Sequence, residues 1–109
     1  MIIPLTREII DRYYDSLPAT VKGFAAVKDD VIGIMGVYSD NGVQVAFSQL
    51  SEELKKDKRL LIRLARKTIE IAGKTVYAIA DPVPKSEEFL EHWGFEQVEG
   101  DIWARHFYR

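Results

Sequence analysis

The chain has 109 residues, 47% of them apolar and 29% charged, which is the composition of one folded domain and not of a disordered chain. Its 15 basic and 17 acidic residues leave a net charge of -2 at pH 7, so the molecule as a whole has no attraction for nucleic acids or anionic membranes. The absence of cysteine excludes disulfides, thiolate metal sites and cysteine nucleophiles. No apolar run approaches the roughly 20 residues of a membrane span, and no signal-peptide pattern is present. We therefore expect a single cytoplasmic domain over residues 1–109.

The first predicted elements are a short edge strand at Ile2 and Ile3 and a helix capped by Thr6. The helix is expected to continue almost to Pro18, because proline cannot supply the hydrogen bond that a helix interior requires. We expect its tyrosines to pack in the core rather than to bind a ligand. The apolar stripe that predicts this helix consists of Ile9, Ile10, Tyr13, Tyr14 and Leu17.

Three antiparallel strands are predicted next, over residues 21–27, 31–38 and 43–50. Asn41 and Gly42 separate the second strand from the third, and this pair favours a tight hairpin turn. Gly33 and Gly36 lie inside the second strand, where glycine indicates a bulge or a close neighbour.

A long helix and a buried strand follow, and with the preceding strand they predict a strand–helix–strand core. Gly73 marks the end of the helix as a residue able to take positive φ. Residues 75–80 form an almost continuous apolar run, as expected of a strand covered on both faces. The helical spacing is carried by Leu61, Leu64, Ala65, Thr68, Ile71 and Ala72.

The last part of the chain predicts an irregular connection over residues 81–84, a short helix and two strands. Ser86 is expected to cap the helix, which continues through Phe89, Leu90 and Trp93 and ends at Gly94. The final strands are predicted over residues 95–98 and 102–108.

The first half of the long helix is strongly basic. Such a run is most often a solvated face, but cations at a helix N-terminus oppose the helix dipole, which favours an anionic ligand. No motif for a metal site, a phosphate-binding loop or a hydrolase nucleophile is present, and we expect no bound metal. The basic residues are Lys55, Lys56, Lys58, Arg59, Arg63, Arg66 and Lys67, opposed by Asp57.

The order of these elements, with the segment from Ser86 to Phe95 containing Phe89 and the pair Gly94-Phe95, resembles the GNAT superfamily of acyl-CoA N-acyltransferases. The resemblance in topology covers nearly the whole chain, from about Thr6 to Tyr108. It implies an α/β fold with a mixed, mostly antiparallel sheet, a splayed pair of parallel strands and the long helix packed on the sheet.

The resemblance also implies acetyl-CoA as cosubstrate and an amine acceptor on a small molecule or a protein. In this family the pantetheine arm lies between the splayed strands, here those of residues 43–50 and 75–80, and the pyrophosphate lies at the start of the long helix. The positions that then bind the cofactor are Ser48, Leu50, Lys56, Lys58, Arg59 and Leu60.

Two features depart from the family pattern. The glycines of the pyrophosphate loop are replaced by Arg59 and Leu61, whose side chains obstruct a close approach of phosphate to the backbone. Leu90 takes the place of the tyrosine that protonates the leaving thiolate, so another acid is needed. Tyr77 and His92 are the candidates, with water as the alternative.

The basic, glycine-free start of the helix is also similar to small GNAT-like proteins of tailed phages, some of which are carried inside the virion. Three hypotheses follow: an N-acyltransferase with weakened cofactor contacts, a non-catalytic module acting in binding or virion assembly, and a binder of anions or nucleic acid. We favour the first. Nucleic acid is disfavoured, since no aromatic residue interrupts the basic run from Lys55 to Lys67. A homodimer or a virion partner remains open.

Overall fold

The computed structural model describes residues 1–73, 75–79 and 86–105, without the side chain of Ser86. Within these residues seven strands form one sheet in the order β1-β2-β3-β4-β5-β7-β6. β4 and β5 are parallel and every other neighbouring pair is antiparallel. The predicted α/β fold with a mixed sheet is confirmed. The elements are β1 (Ile2–Pro4), α1 (Arg7–Asp11), β2 (Lys22–Val27), β3 (Val31–Asp40), β4 (Val43–Leu50), α2 (Glu52–Lys56), α3 (Lys58–Ala72), β5 (Val76–Ile79), α4 (Ser86–His92), β6 (Glu96–Glu99) and β7 (Ile102–Arg105).

The parallel strands β4 and β5 separate soon after they meet. Only two residue pairs join them in the described part of the chain, Gln44 with Val76 and Val45 with Tyr77. β4 then continues to Leu50, paired on its other side with β3, while β5 continues along β7. The predicted splayed pair is therefore confirmed.

The structure confirms the predictions made from the positions of glycine and asparagine. Asn41 and Gly42 both have positive φ, 51° and 79°, and connect β3 to β4 in the expected tight hairpin. Gly73 ends α3 with φ 64°. A Cβ on Gly33 would lie 2.3 Å from Leu54 Cδ2, so this glycine has the close neighbour that its place in a strand indicates.

The first helix is shorter than predicted. α1 ends at Asp11 instead of continuing almost to Pro18. Arg12 and Tyr13 donate their amide hydrogens three residues back, to the carbonyls of Ile9 and Ile10, which tightens the last turn. The chain then leaves the helix with Tyr13 and Tyr14 packed against the sheet.

The long helix is interrupted at its basic start, whereas the sequence predicts one continuous helix. Ser51 caps α2 by accepting a hydrogen bond from the amide of Leu54 at 3.2 Å. Asp57, with φ -94° and ψ 82°, ends α2 and caps α3 through the amide of Leu60 at 3.2 Å. Two caps six residues apart explain why the helix is divided.

Helices cover both faces of the sheet. Leu54 of α2, Leu64 of α3 and Phe89 of α4 pack on one face, in a cluster with Met35 of β3. On the other face Ile9 of α1 packs against β2 and β3. No helix within the described ranges is long and apolar enough to cross a membrane. The predicted connection at 81–84 and the ends of two predicted strands, at residues 80 and 106–108, lie outside the described residues.

Candidate functional site

A cleft of about 260 Å³ opens where β4 and β5 separate. Ala46 and Ser48 of β4 and Ala78 of β5 line it beyond the last paired residues. Ala65 and Ala72 of α3 lie among the residues that close it on the helix side. Because these α3 side chains are small, they leave space between helix and sheet that larger residues would fill.

Most of the cleft surface is apolar, with polar side chains at several points, among them Arg105 of β7. Thr68 lines the cleft from α3, but its hydroxyl donates to the carbonyl of Leu64 at 2.9 Å. The side chains of Ser48, Gln49 and Tyr14 supply polar groups at the C-terminal half of β4. An apolar cleft with a few polar side chains is the usual form of a small-molecule site.

Tyr14 and Gln49 form a hydrogen-bonded pair within the cleft lining. The amide Nε2 of Gln49 donates to the hydroxyl oxygen of Tyr14 at 3.2 Å. The ring of Tyr14 packs edge-on against Phe47, with 5.6 Å between the ring centres. The sequence predicts Tyr14 as a core residue, and its half-buried ring does pack in the cluster around Ile9. The sequence does not predict the hydrogen bond between Tyr14 and Gln49, because this bond depends on how the segment after α1 packs against β4.

Of the two candidate cofactor residues on β4, only one lines the cleft. Ser48 is exposed and lines the cleft. Leu50 is half-buried and packs against the core cluster of Leu54 and Leu64, and it is absent from the cleft lining. The cofactor role of both residues stays a prediction.

The other candidates for cofactor binding lie around the junction of α2 and α3. Lys56, Lys58 and Arg59 are exposed, whereas the side chain of Leu60 is buried in the core. Their cationic groups face solvent close to the start of α3. Whether they bind phosphate stays a prediction.

An acidic side chain occupies the N-terminus of α3. The Nζ of Lys28 lies 3.1 Å from a carboxylate oxygen of Asp57 and 3.8 Å from one of Glu53. The hydrogen bond from Lys28, followed by the one from the amide of Leu60, lowers the pKa of Asp57, because both stabilise the charged carboxylate. The amide of Leu60 is thus engaged within the chain, so at this helix start an anionic ligand would meet side chains and a carboxylate.

Neither of the two candidate acids, Tyr77 and His92, lines the cleft. Val76 and Ala78 line it, so Tyr77 between them lies on the opposite face of β5. His92 is exposed at the end of α4, with its ring edge-on to Trp93 at 5.5 Å between centres. Leu90, where the resemblance predicts a tyrosine in other proteins, does line the cleft. The catalytic role of Tyr77 and His92 stays a prediction. No group of three potential metal ligands occurs among the described residues.

Comparisons with known proteins identify the fold. No family model matches the sequence, and no curated protein matches it. The structure is similar to the crystal structure of an acetyltransferase of the GNAT family from Staphylococcus aureus Mu50, with a TM-score of 0.58 and 17% sequence identity. The similarity covers 91% of this chain and 74% of that chain. The chain therefore has the fold of a GNAT-family acetyltransferase.

Proposed function

We propose that the protein is an acyl-CoA-dependent N-acyltransferase, with acetyl-CoA as cosubstrate and an amine on a small molecule or a protein as acceptor. The observation that carries the proposal is the separation of β4 from β5 after two paired residues, which opens the apolar cleft. Beyond Val45, the edge of β4 that faces β5 has no strand partner among the described residues. An extended ligand with amide groups, such as pantetheine, can hydrogen-bond to such an edge as an added strand does.

Acyl-CoA supplies the activated thioester when bound, and the chain supplies the site. The edge of β4 around Ser48 would hold the pantetheine arm. Lys56, Lys58 and Arg59 would hold the phosphates by charge. Because Asp57 caps α3, the phosphates would be bound by side chains in place of the backbone amides that a helix N-terminus usually offers.

The test is calorimetric titration of acetyl-CoA and free CoA into the folded protein. Lys58→Ala and Arg59→Ala should each weaken binding by roughly tenfold, the lower end of the range for charge-assisted contacts, because both residues are exposed. Lys67→Ala is the matched control, because Lys67 Nζ lies over the ring of Phe24, 5.5 Å from its centre, on the part of α3 that covers β2. Equal losses for all three variants would indicate general attraction of anions and contradict a defined CoA site.

A second candidate function is a non-catalytic GNAT-like module that acts in binding or assembly, as in the virion of a tailed phage. Asp57 at the start of α3 and Leu90 in the cleft favour it, since the first opposes phosphate and the second cannot donate a proton. The enzyme would act in the cytoplasm, whereas the module would be associated with the virion. Absence of CoA binding at millimolar ligand would favour the module over the enzyme.

A further inference from the structure

We infer that Tyr14 is a catalytic residue of the acyl transfer, in which it protonates the departing thiolate; this inference rests on the proposed function. With Leu90 in the cleft, the site lacks the acid that the family supplies from the last helix. The two residues that the sequence offers in its place, Tyr77 and His92, are absent from the cleft lining. Tyr14 is part of that lining, and its hydroxyl is hydrogen-bonded to Gln49, which lines the cleft as well.

Contacts with several described residues help to fix the position of Tyr14. Its amide donates to the carbonyl of Ile10 at 3.0 Å, which holds it directly after the last turn of α1. Its ring packs edge-on against Phe47. Its oxygen accepts a hydrogen bond from Gln49. The hydroxyl is therefore held beside the part of β4 that has separated from β5, where the cleft runs.

The proton transfers balance as follows. The nitrogen of the acceptor amine forms a bond to the thioester carbon, and the tetrahedral intermediate then breaks its carbon–sulfur bond. The sulfur takes the proton of the Tyr14 hydroxyl and leaves as CoA thiol. The phenolate regains a proton from solvent, which has received the one released by the amine nitrogen. Gln49 is a positioning residue, since the hydrogen bond that it donates stabilises the negative charge left on the phenolic oxygen.

The test compares Tyr14→Phe with Tyr13→Phe. Both substitutions keep the ring, and both tyrosines pack in the same cluster around Ile9, but Tyr13 is absent from the cleft lining. Release of CoA thiol from acetyl-CoA is measured with a panel of amines. Tyr14→Phe should lower kcat about 10²-fold, as expected for loss of a general acid, with the Kd for CoA unchanged. It should also abolish the fall in rate at alkaline pH that a phenolic donor produces. Tyr13→Phe should leave kcat and the pH profile unchanged.

The outcomes separate this inference from the proposed function. If the wild type transfers the acetyl group, and Tyr14→Phe keeps both the wild-type kcat and the fall in rate at alkaline pH, then Tyr14 is not the acid. The proposed enzyme function would still stand. If Tyr14→Phe loses activity only through weaker CoA binding, the role of Tyr14 is structural. If the wild type binds no CoA, or binds it and transfers nothing to any amine, the proposed function and this inference are both wrong.

Discussion

Leu54 fixes α2 to the sheet, and its replacement should be costly. Its side chain is fully buried and contacts β3 at Gly33. Leu→Ala at a fully buried position typically costs about 2.7–5 kcal/mol, the transfer free energy plus the cavity left behind. For a chain of 109 residues, an unfolding entropy of about 0.23 kcal/mol/K converts this loss into a drop in Tm of about 12–22 °C. Leu54→Ala should show that shift by calorimetry.

The packing of Leu54 against Gly33 can be tested by substituting both residues. A Cβ at Gly33 would overlap Leu54 Cδ2 at 2.3 Å, so Gly33→Ala alone should cost about 1–3 kcal/mol through overpacking. In the double variant the new methyl group enters the space that Leu54→Ala vacates. The double variant should therefore lose less unfolding free energy than the two single variants lose together, by at least about 1 kcal/mol.

Urea unfolding of the four proteins in this cycle measures the coupling. Gly36→Ala is the control, since its Cβ would meet the carbonyl oxygen of Lys22 at 2.5 Å and the ring of Phe47 at 2.8 Å, away from Leu54. Gly36→Ala and Leu54→Ala should be additive within about 0.5 kcal/mol. If Gly33→Ala and Leu54→Ala are equally additive, α2 does not pack on β3 as described, and the position of Asp57 at the start of α3 is in question.

Two further substitutions test the site. Leu90→Tyr adds a phenol to the cleft lining, and in the Tyr14→Phe variant, which lacks the proposed acid, it should raise the rate of CoA thiol release about 10–100-fold; an unchanged rate in the folded double variant would show that loss of an acid is not what slows Tyr14→Phe. Asp57→Asn keeps a capping side chain but removes the charge, so CoA should bind about two- to fivefold more tightly by calorimetry. Because the pKa of Asp57 is lowered below its usual 3.8, its ionised form stabilises the fold above that pH and the effect is lost in acid. The excess Tm of the wild type over Asp57→Asn should therefore shrink from about pH 5 to about pH 3, and a pH-independent difference would contradict the ion pair with Lys28.

The fold was predictable because its determinants are local. The turn at Asn41 and Gly42 and the helix end at Gly73 follow from residues that tolerate positive φ. The apolar run after Gly73 predicts a strand, and a helix between two strands predicts that they are parallel. The expectation that this strand is covered on both faces is wrong, since Ile79 of β5 is 65% exposed. These features decide the order of the elements before any tertiary contact is known.

The candidate site was less predictable, because it depends on contacts between distant segments. The caps at Ser51 and Asp57 that divide the long helix are local, but the pairing of Asp57 with Lys28, from the loop between β2 and β3, joins distant segments. Tyr14 and Gln49 are 35 residues apart in sequence and meet only because α1 and β4 are brought together. Their spacing carries no periodic pattern, so a sequence gives no reason to pair them.

The interrupted helix changes what its basic residues imply. In a continuous helix, cations at the N-terminal end would oppose the dipole and favour an external anion. In the structure the chain supplies that anion itself, since the carboxylate of Asp57 caps α3 and pairs with Lys28. The cations at Lys58 and Arg59 therefore need no ligand to be tolerated there. They can attract phosphates by charge, but the amide of Leu60 beside them is already bonded to Asp57 and does not orient such a group. Under the proposed function, the specificity of this site would then come from the cleft between β4 and β5, where an extended arm could lie along β4 beyond Val45, whose edge has no strand partner among the described residues, and against the apolar surface of α3.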